Sequence, residues 1–251
     1  ATRDAWLRQV RGCEPFSARL FSRLCPGPGE AAQVLEPLAG ILRDPRMICE
    51  GPFFLYHVDW LLLADRGAVR EGARRIFFDA GGSHFHDALR FFLAEYAARG
   101  IGFDQVYVWE AQDMGRERYW RGVPAEVRSA WEPRLTLYDG VPVTDEAGSP
   151  HNPVARIGGE CRPDDFCVFK LDIDRPDLER RLVAQLLDAS RLRAPLVDEL
   201  FFEHHVQGVM ESHGWSYTWW EAGQRSHETF ADSYALFSAL RRLGIRAHSW
   251  V

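Results

Sequence analysis

Residues that could bind a cofactor follow the apolar run IFF at positions 76–78. The run ends in Asp79 and, after one alanine, continues with Gly81, Gly82 and Ser83. Glycine lets the backbone approach a ligand without an intervening side chain, and a helix that follows offers free N–H groups at its start. The same pattern is also typical of an ordinary strand-to-helix turn with Ser83 as the helix cap. The stretch therefore predicts either a cofactor turn or a purely structural one.

A second acid, Glu110, ends the apolar run QVYVW that begins at Gln105. In open α/β sheets the ligand lies beyond the carboxyl ends of the strands. An acid at the end of the second strand can accept hydrogen bonds from both hydroxyl groups of a ribose. Glu110 therefore favours the cofactor interpretation of the glycine turn.

A solitary lysine stands at the end of a later apolar run, FCVF. Lys170 is the only lysine of the chain, and it is followed by Asp172 and Asp174. Strand alternation places these three side chains on one face, and a lysine on a covered strand is rarely buried without a partner. We therefore expect its ammonium to contact Asp172 or Asp79. Asp174 has an alternative role as the cap of a helix that begins near Pro176.

The sequence LVDELFFEHHV ends in Glu203, His204 and His205. The pKa of an imidazole lies near neutrality, so His204 could act as a general base. These polar groups could equally finish a strand and bind a loop. The remaining histidines show no HExxH or comparable spacing, and we predict no metal site.

The elements that position these residues alternate from residue 76 onward. Apolar runs separated by amphipathic segments predict an α/β fold, with a mostly parallel, Rossmann-like sheet and helices on both faces. Six strands are predicted, in the runs IFFDA, FDQVYVWEA, RLTLYD, DDFCVFKLDI, LVDELFFEHHV and IRAHSWV. Helices are predicted over Ser83–Arg99, Pro176–Arg191 and the segment HETFADSYALFSALRRLG.

Residues 1–75 show a different pattern, with apolar residues at three- and four-residue spacing. The spacing predicts amphipathic helices in FSARLFSRL and EAAQVLEPLAGIL, and the strongly apolar FFLYHVDWLLLAD predicts a buried helix. We therefore divide the chain into an N-terminal helical cap, 1–75, and an α/β domain, 76–251.

Composition excludes several classes of protein. The net charge of −6 does not favour binding to nucleic acid, which needs a basic face. No apolar run approaches the ~18 residues that span a bilayer, and no signal peptide is visible. The chain begins with Ala1 rather than with methionine, which is typical of a domain cut from a longer protein, and its compartment is left open.

The five cysteines show neither a CxxC pair nor zinc-ligand spacing. Cys167 lies inside the apolar run FCVFKL and is predicted to be a small core residue. A disulfide between two of Cys13, Cys25 and Cys49 remains open.

The succession DAGGS, VYVWEA, DDFCVFKLDID and ELFFEHH resembles the S-adenosylmethionine-dependent methyltransferase fold, nearest to the FkbM type. The fourth strand of that family reads as a lysine, an aspartate and a further acid, which Lys170, Asp172 and Asp174 match. The resemblance covers about residues 76–251. Where the family usually carries a further glycine in its turn, this chain has Phe85.

The resemblance implies that S-adenosylmethionine binds over the turn and that its ribose binds Glu110. The turn residues concerned are Asp79, Gly81, Gly82 and Ser83. It also implies methyl transfer to an oxygen of a small molecule or glycan. Asp172, Asp174 and His204 would orient or deprotonate that acceptor, with Lys170 fixing the acids. The aromatic residues of 215–220 could form a wall of the acceptor site.

Two other interpretations remain. Asp172-Ile-Asp174 also fits the DxD motif of a metal-dependent glycosyltransferase, in which carboxylates hold a divalent ion. Alternatively, the chain is a catalytically degenerate methyltransferase fold that serves as a binding module. The altered turn at Ser83 to Phe85 supports this interpretation.

Overall fold

The computed structural model of the chain describes residues 22–24, 33–36, 61–192, 197–206 and 227–250. They form an α/β protein with one two-stranded and one six-stranded sheet. Within these ranges, no helix has the length and apolar character that crossing a membrane would need.

The strands are β1 (Ser22–Leu24), β2 (Gln33–Leu35), β3 (Arg75–Ala80), β4 (Gln105–Glu110), β5 (Leu135–Asp139), β6 (Phe166–Leu171), β7 (Glu199–Phe202) and β8 (Arg246–Ser249). The small sheet pairs β1 and β2 antiparallel, and the large sheet has the order β5-β4-β3-β6-β7-β8. The pairs β3–β4, β3–β6 and β4–β5 are parallel. The predicted α/β class with a mostly parallel sheet is confirmed.

Six α-helices are found in the described part of the chain. They are α1 (Ala88–Ala98), α2 (Arg116–Tyr119), α3 (Ala125–Trp131), α4 (Pro153–Glu160), α5 (Pro176–Leu192) and α6 (Phe230–Arg242). Short 3-10 helices occur at Arg66–Ala68 and Glu132–Arg134. Helix α6 begins with a capping box, in which the side chain of Thr229 accepts from the amide of Asp232 and the carboxylate of Asp232 accepts in return.

The large sheet has an apolar side chain layer on each face, as expected for a sheet that is covered on both sides. On one face, the ring of Phe77 lies 5.3 Å from that of Phe92 in α1 and 5.2 Å from that of Phe103. On the other face, Phe78 stacks on Tyr107 at 5.2 Å. Strand β6 is buried over its whole length, which explains its continuous apolar run.

The predicted start of the first helix is wrong. Helix α1 begins at Ala88 rather than at Ser83. The amide of Phe85 donates to Tyr119 O at 3.2 Å, and the hydroxyl of Ser83 donates to Asp87 Oδ2 at 2.9 Å. These contacts hold residues 83–87 in a loop and leave Ser83 without a capping role.

The helices predicted in segments 16–24, 30–42 and 53–65 are absent from the residues of these segments that the structure describes. Residues 22–24 and 33–35 are strands, and residues 61–64 are buried without regular secondary structure. Within β2 the adjacent side chains of Val34 and Leu35 are 43% and 0% exposed, as on the two sides of a strand. Short apolar runs do not distinguish the two periodicities, which accounts for the error. The division at residue 75 stays a prediction.

The chain forms two compact units, one of residues 1–63 with 201–251 and one of residues 64–200. The first contains a buried charge cluster, in which Glu36 Oε1 lies 3.1 Å from Arg241 Nη2 and 2.8 Å from His248 Nδ1. Burial opposes ionisation of Glu36, but His248 and Arg241 outweigh it and lower the pKa of this carboxyl to about 2. The carboxylate is therefore charged at neutral pH.

A disulfide joins Cys161, at the end of α4, to Cys167 in β6. Cys167 is buried, as predicted for a core residue, but its sulfur also forms this disulfide. The spacing of Cys161 and Cys167 matches no redox or zinc motif, and for that reason the sequence did not reveal the bond.

We predict that Cys161→Ser lowers the free energy of unfolding by about 2 kcal/mol, because a bridge with this short a loop constrains the unfolded chain only modestly. Denaturant unfolding of the variant and of the wild type measures the difference. Adding a reductant should move the wild type to the midpoint of the variant and leave the variant unchanged. A wild type insensitive to reductant would contradict the bond.

Candidate functional site

The candidate site lies where β3 and β6 end, and its centre is an ion pair between them. Asp79 is opposite Lys170 in the parallel register of these strands. The ammonium of Lys170 lies 3.1 Å from Asp79 Oδ1 and 3.1 Å from Asp172 Oδ2. The side chains of Lys170 and Asp79 are 2% and 1% exposed, and that of Asp172 is 23% exposed. The expectation that the solitary lysine contacts Asp172 or Asp79 is confirmed, and the ammonium contacts both carboxylates.

The charge states of the three groups depend on each other. Burial opposes the charge on Lys170, but the carboxylates of Asp172 and Asp79 raise the pKa of the ammonium above its ordinary value. Burial also raises the pKa of Asp79, and Lys170 offsets this only in part. Lys170 therefore keeps its proton, and it is the group that allows a buried aspartate to stay ionised.

The two glycines of the turn are required by the packing of the chain on itself. Gly81 has φ +94, and a Cβ atom there would lie 1.6 Å from Asp172 O. A Cβ atom on Gly82 would lie 2.4 Å from Val108 Cγ1 and 2.9 Å from Asp79 Oδ2. The carbonyl of Gly81 also accepts a hydrogen bond from Lys170 at 3.3 Å. The structural interpretation of these glycines thus accounts for them without any ligand.

Phe85 anchors the loop 83–87 to the core. Its ring is buried and stacks on Trp120 at 4.8 Å, with Tyr119 at 6.4 Å. The loop 83–87 is thereby packed against α2 and the residue that follows it. Phe85 fills an aromatic cluster of the core.

Glu110 lies at the same edge of the sheet as the turn. Ala80 is opposite Trp109, and the amides of Gly81 and Gly82 donate to Trp109 O at 3.0 and 3.1 Å. Glu110, the next residue, is half-buried, and its Oε1 accepts from the amide of Gln112 at 2.7 Å. One carboxylate oxygen thus holds the following loop.

Asp174 has a strained backbone. It has φ 55 and is the one non-glycine residue with a positive φ among those that the structure describes. The residue is exposed, yet partial burial of its carboxyl, followed by the charge of Asp172, raises the pKa of Asp174 to about 6. An acid that titrates near neutrality can take up and release a proton under ordinary conditions.

Glu179 is a site residue that the sequence reasoning missed. It is fully buried in the first turn of α5, and its Oε1 accepts from the amide of Ile173 at 2.8 Å. Burial, with a contribution from Asp172 and Asp174, raises the pKa of Glu179 well above its ordinary value. The signal was present, since Glu179 precedes the buried residues Leu182, Val183 and Leu186 by three, four and seven positions. An acid on the apolar stripe of a helix predicts a buried polar partner.

His204 is the one predicted site residue outside residues 64–200, in the other compact unit. Its Nδ1 lies 2.9 Å from Ser233 Oγ and its Nε2 lies 2.5 Å from Glu228 Oε2. Both ring nitrogens are thus engaged within that unit. The predicted aromatic wall at 215–220 lies outside the described residues.

Comparison with known proteins gives no match, either with a protein-family model or with a curated protein or a solved structure. What this edge of the sheet can bind follows from its own side chains. Carboxylates surround a single buried ammonium, and Asp87 adds a carboxylate at the N-cap of α1. Such an edge suits a cation or hydroxyl groups and disfavours a phosphate, which prefers a helix N-terminus free of negative charge.

We predict that Gly81→Ala destabilises the protein more than Gly72→Ala does. Both glycines have positive φ, but a Cβ atom on Gly72 meets nothing within 4 Å. The control should lose about 1–2 kcal/mol for the left-handed backbone alone. Gly81→Ala should lose a further ~1–3 kcal/mol because Asp172 O must move. Equal unfolding midpoints for the two variants would show that the close approach does not exist.

We predict that Lys170→Met costs about 3–5 kcal/mol of unfolding free energy at neutral pH, because it leaves Asp79 buried without its counter-charge. The cost should shrink as the pH falls toward the ordinary pKa of an aspartate, ~3.9, because an acid whose pKa is raised by folding destabilises the protein only at pH values where the unfolded chain releases its proton. Urea unfolding from pH 4 to pH 7 measures this dependence.

The control is Asp79→Asn combined with Lys170→Met. Because the double variant has no unpaired Asp79 charge, it should lose less stability than the two single variants added together. Additive losses, or a Lys170→Met loss that is independent of pH, would contradict the ion pair.

Proposed function

We propose that the chain is a Rossmann-like methyltransferase that binds S-adenosylmethionine and methylates an oxygen of a small molecule or glycan. The observation that carries the proposal is the acidic carboxyl edge of the sheet, with one lysine among several carboxylates. Asp79 and Asp172 contact Lys170, whereas Asp174 is exposed and Glu110 is half-buried.

The sign of the charge favours a cationic cofactor over the other cofactors of Rossmann-like folds. A unit charge ~6 Å from a carboxylate interacts with it by about 3 kcal/mol at an effective dielectric constant near 20. A sulfonium is attracted by about this energy to each carboxylate that has no counter-charge. The pyrophosphate of a dinucleotide carries two negative charges, and each of them would be repelled by a similar energy. S-adenosylmethionine carries a positive sulfonium and a ribose, and both suit carboxylate partners.

The strand order supports a ligand at this place. The chain adds β4 and β5 on one side of β3 and then adds β6 on the other side. Ligands of open α/β sheets bind at the carboxyl end of such a switch point. The glycine turn follows β3, and the residues Asp172 to Asp174 follow β6 at the same end.

Each residue has a defined part in this proposal. Glu110 accepts hydrogen bonds from the ribose hydroxyls through its free capacity, since Gln112 occupies only Oε1. When bound, S-adenosylmethionine would supply an electrophilic methyl group, and the neutral thioether S-adenosylhomocysteine would be the leaving group. Asp174, whose pKa is about 6, takes the proton that the acceptor hydroxyl releases as its oxygen is methylated. We prefer Asp174 to His204 as the base because both nitrogens of His204 are engaged.

The glycosyltransferase interpretation finds less support at Asp172. Its carboxylate lies 3.1 Å from Lys170, so much of its charge is already compensated before any divalent ion binds. The binding-module interpretation finds support in the turn, since the space beside Gly81 is filled by Asp172 O. Both remain alternatives that a binding experiment distinguishes.

We expect the wild type to bind S-adenosylhomocysteine in titration calorimetry and Glu110→Ala to bind it more weakly by roughly 1.5–3 kcal/mol, the value of a hydrogen bond to a charged group. This corresponds to about 10- to 150-fold in Kd. Glu126→Ala, which removes an exposed glutamate in α3, is the matched control and should bind as the wild type does.

The same titrations separate the alternatives. Binding should be unchanged by EDTA, and the thermal midpoint should not respond to EDTA either. A large stabilisation by manganese with a sugar nucleotide would favour the glycosyltransferase interpretation. A wild type that binds neither S-adenosylmethionine nor S-adenosylhomocysteine at millimolar concentration would remove the methyltransferase proposal and favour the binding module.

A further inference from the structure

The strained backbone of Asp174 needs neighbours that hold it. A non-glycine residue in the left-handed region costs ~1–3 kcal/mol and persists only where its surroundings fix it. The residue has φ 55, and it follows two residues whose backbones are each tied to another element.

Two hydrogen bonds make these ties. The amide of Asp172 donates to Ala80 O at 3.0 Å, which extends the pairing of β3 with β6 by one residue. The amide of Ile173 donates to Glu179 Oε1 at 2.8 Å, which attaches the loop to α5. The second hydrogen bond is accepted by a side chain, and its donor, Ile173, directly precedes Asp174.

Glu179 is an unusual choice for such a tie. It is fully buried, and its carboxyl interacts electrostatically with both Asp172 and Asp174. An ionised carboxylate there would repel the two aspartates that it supports. A neutral carboxylic acid still accepts through its carbonyl oxygen, and its raised pKa agrees with that form.

We propose that Glu179 is a positioning residue that fixes the backbone of residues 172–174 and thereby aims the carboxylate of Asp174 at a cationic ligand. The proposal rests on the proposed function for the identity of that ligand. Glu179 itself does not touch the ligand, and its effect on binding passes through Asp174. A residue that merely filled space in the core would have no such dependence.

The experiment compares Glu179→Gln with Glu179→Ala. Glutamine keeps the carbonyl acceptor and the size of a neutral glutamic acid, so it should retain wild-type affinity for S-adenosylmethionine, the ligand that carries the sulfonium charge. Alanine removes the acceptor, and we expect its Kd to rise by about tenfold or more, the effect of losing one buried hydrogen bond. Hydrogen exchange of the Ile173 amide should be slow in the wild type and in Glu179→Gln, and faster in Glu179→Ala.

A double-mutant cycle with Asp174→Asn tests the route of the effect. Asparagine tolerates the left-handed backbone but has no charge to aim. In that background Glu179→Ala should cause little further loss of affinity, because the two residues act as one unit. An undiminished loss would overturn the proposal and leave Glu179 a core residue. If Glu179→Ala does not fold, Glu179→Asp, which shortens the side chain by one methylene, replaces it in both measurements.

The exchange measurement separates this inference from the proposed function. A wild type that binds neither S-adenosylmethionine nor S-adenosylhomocysteine ends the methyltransferase proposal, while a slow Ile173 amide that Glu179→Ala alone accelerates still shows that Glu179 holds the loop. Equal exchange of this amide in the wild type and in Glu179→Ala overturns the inference, whatever binds.

Discussion

The ammonium of Lys170 is the interaction on which the candidate site depends. It lies between Asp79 at the end of β3 and Asp172 beyond the end of β6, and it also donates to Gly81 O. One buried cation thus connects two strands, the turn after the first strand and the loop after the second. Because two carboxylates share this cation, the cluster keeps an excess of negative charge. The acidity of the edge is therefore a property of how the strands are joined.

This arrangement also explains why the turn contains glycine. The contact of Lys170 with both acids needs the ends of β3 and β6 to lie close together. The backbone of Asp172 consequently occupies the space where a side chain on Gly81 would be. Glycine here allows two segments of the same chain to pack closely. A cofactor that binds at this edge must therefore use the surface beyond the turn. A glycine-rich turn is thus a weak argument for a ligand, and the surrounding charges are the stronger one.

The sequence predicted the features that depend on local patterns. All six strands of the large sheet were expected, because each lies in a short run with apolar residues that alternates with a helical segment. The partners of Lys170 were expected as well, because a buried charge requires a partner and strand alternation leaves few candidates. These inferences need only the residues near each strand.

The features that the sequence did not predict depend on contacts between distant segments. The loop 83–87 is held by residues of α2, so the delay of α1 to Ala88 could not be inferred from the helical pattern alone. Strands as short as Ser22–Leu24 and Gln33–Leu35 are determined by their pairing. Glu179 is at a helical position that the apolar stripe reserves for a hydrophobic residue, and only the fold shows that Ile173 lies beside it.

Strand β6 is held at both ends, and this bears on how the sheet reaches its correct register. Cys167 near its start is bonded to Cys161, and Lys170 near its end is paired with two acids. A slip of one residue turns every side chain of a strand to the opposite face. For β6 such a slip would place the ammonium among aromatic side chains and would bring a phenylalanine to the carboxylates. The solitary lysine therefore favours the native register of an otherwise apolar strand, since a register shifted by one residue would separate the ammonium from both acids.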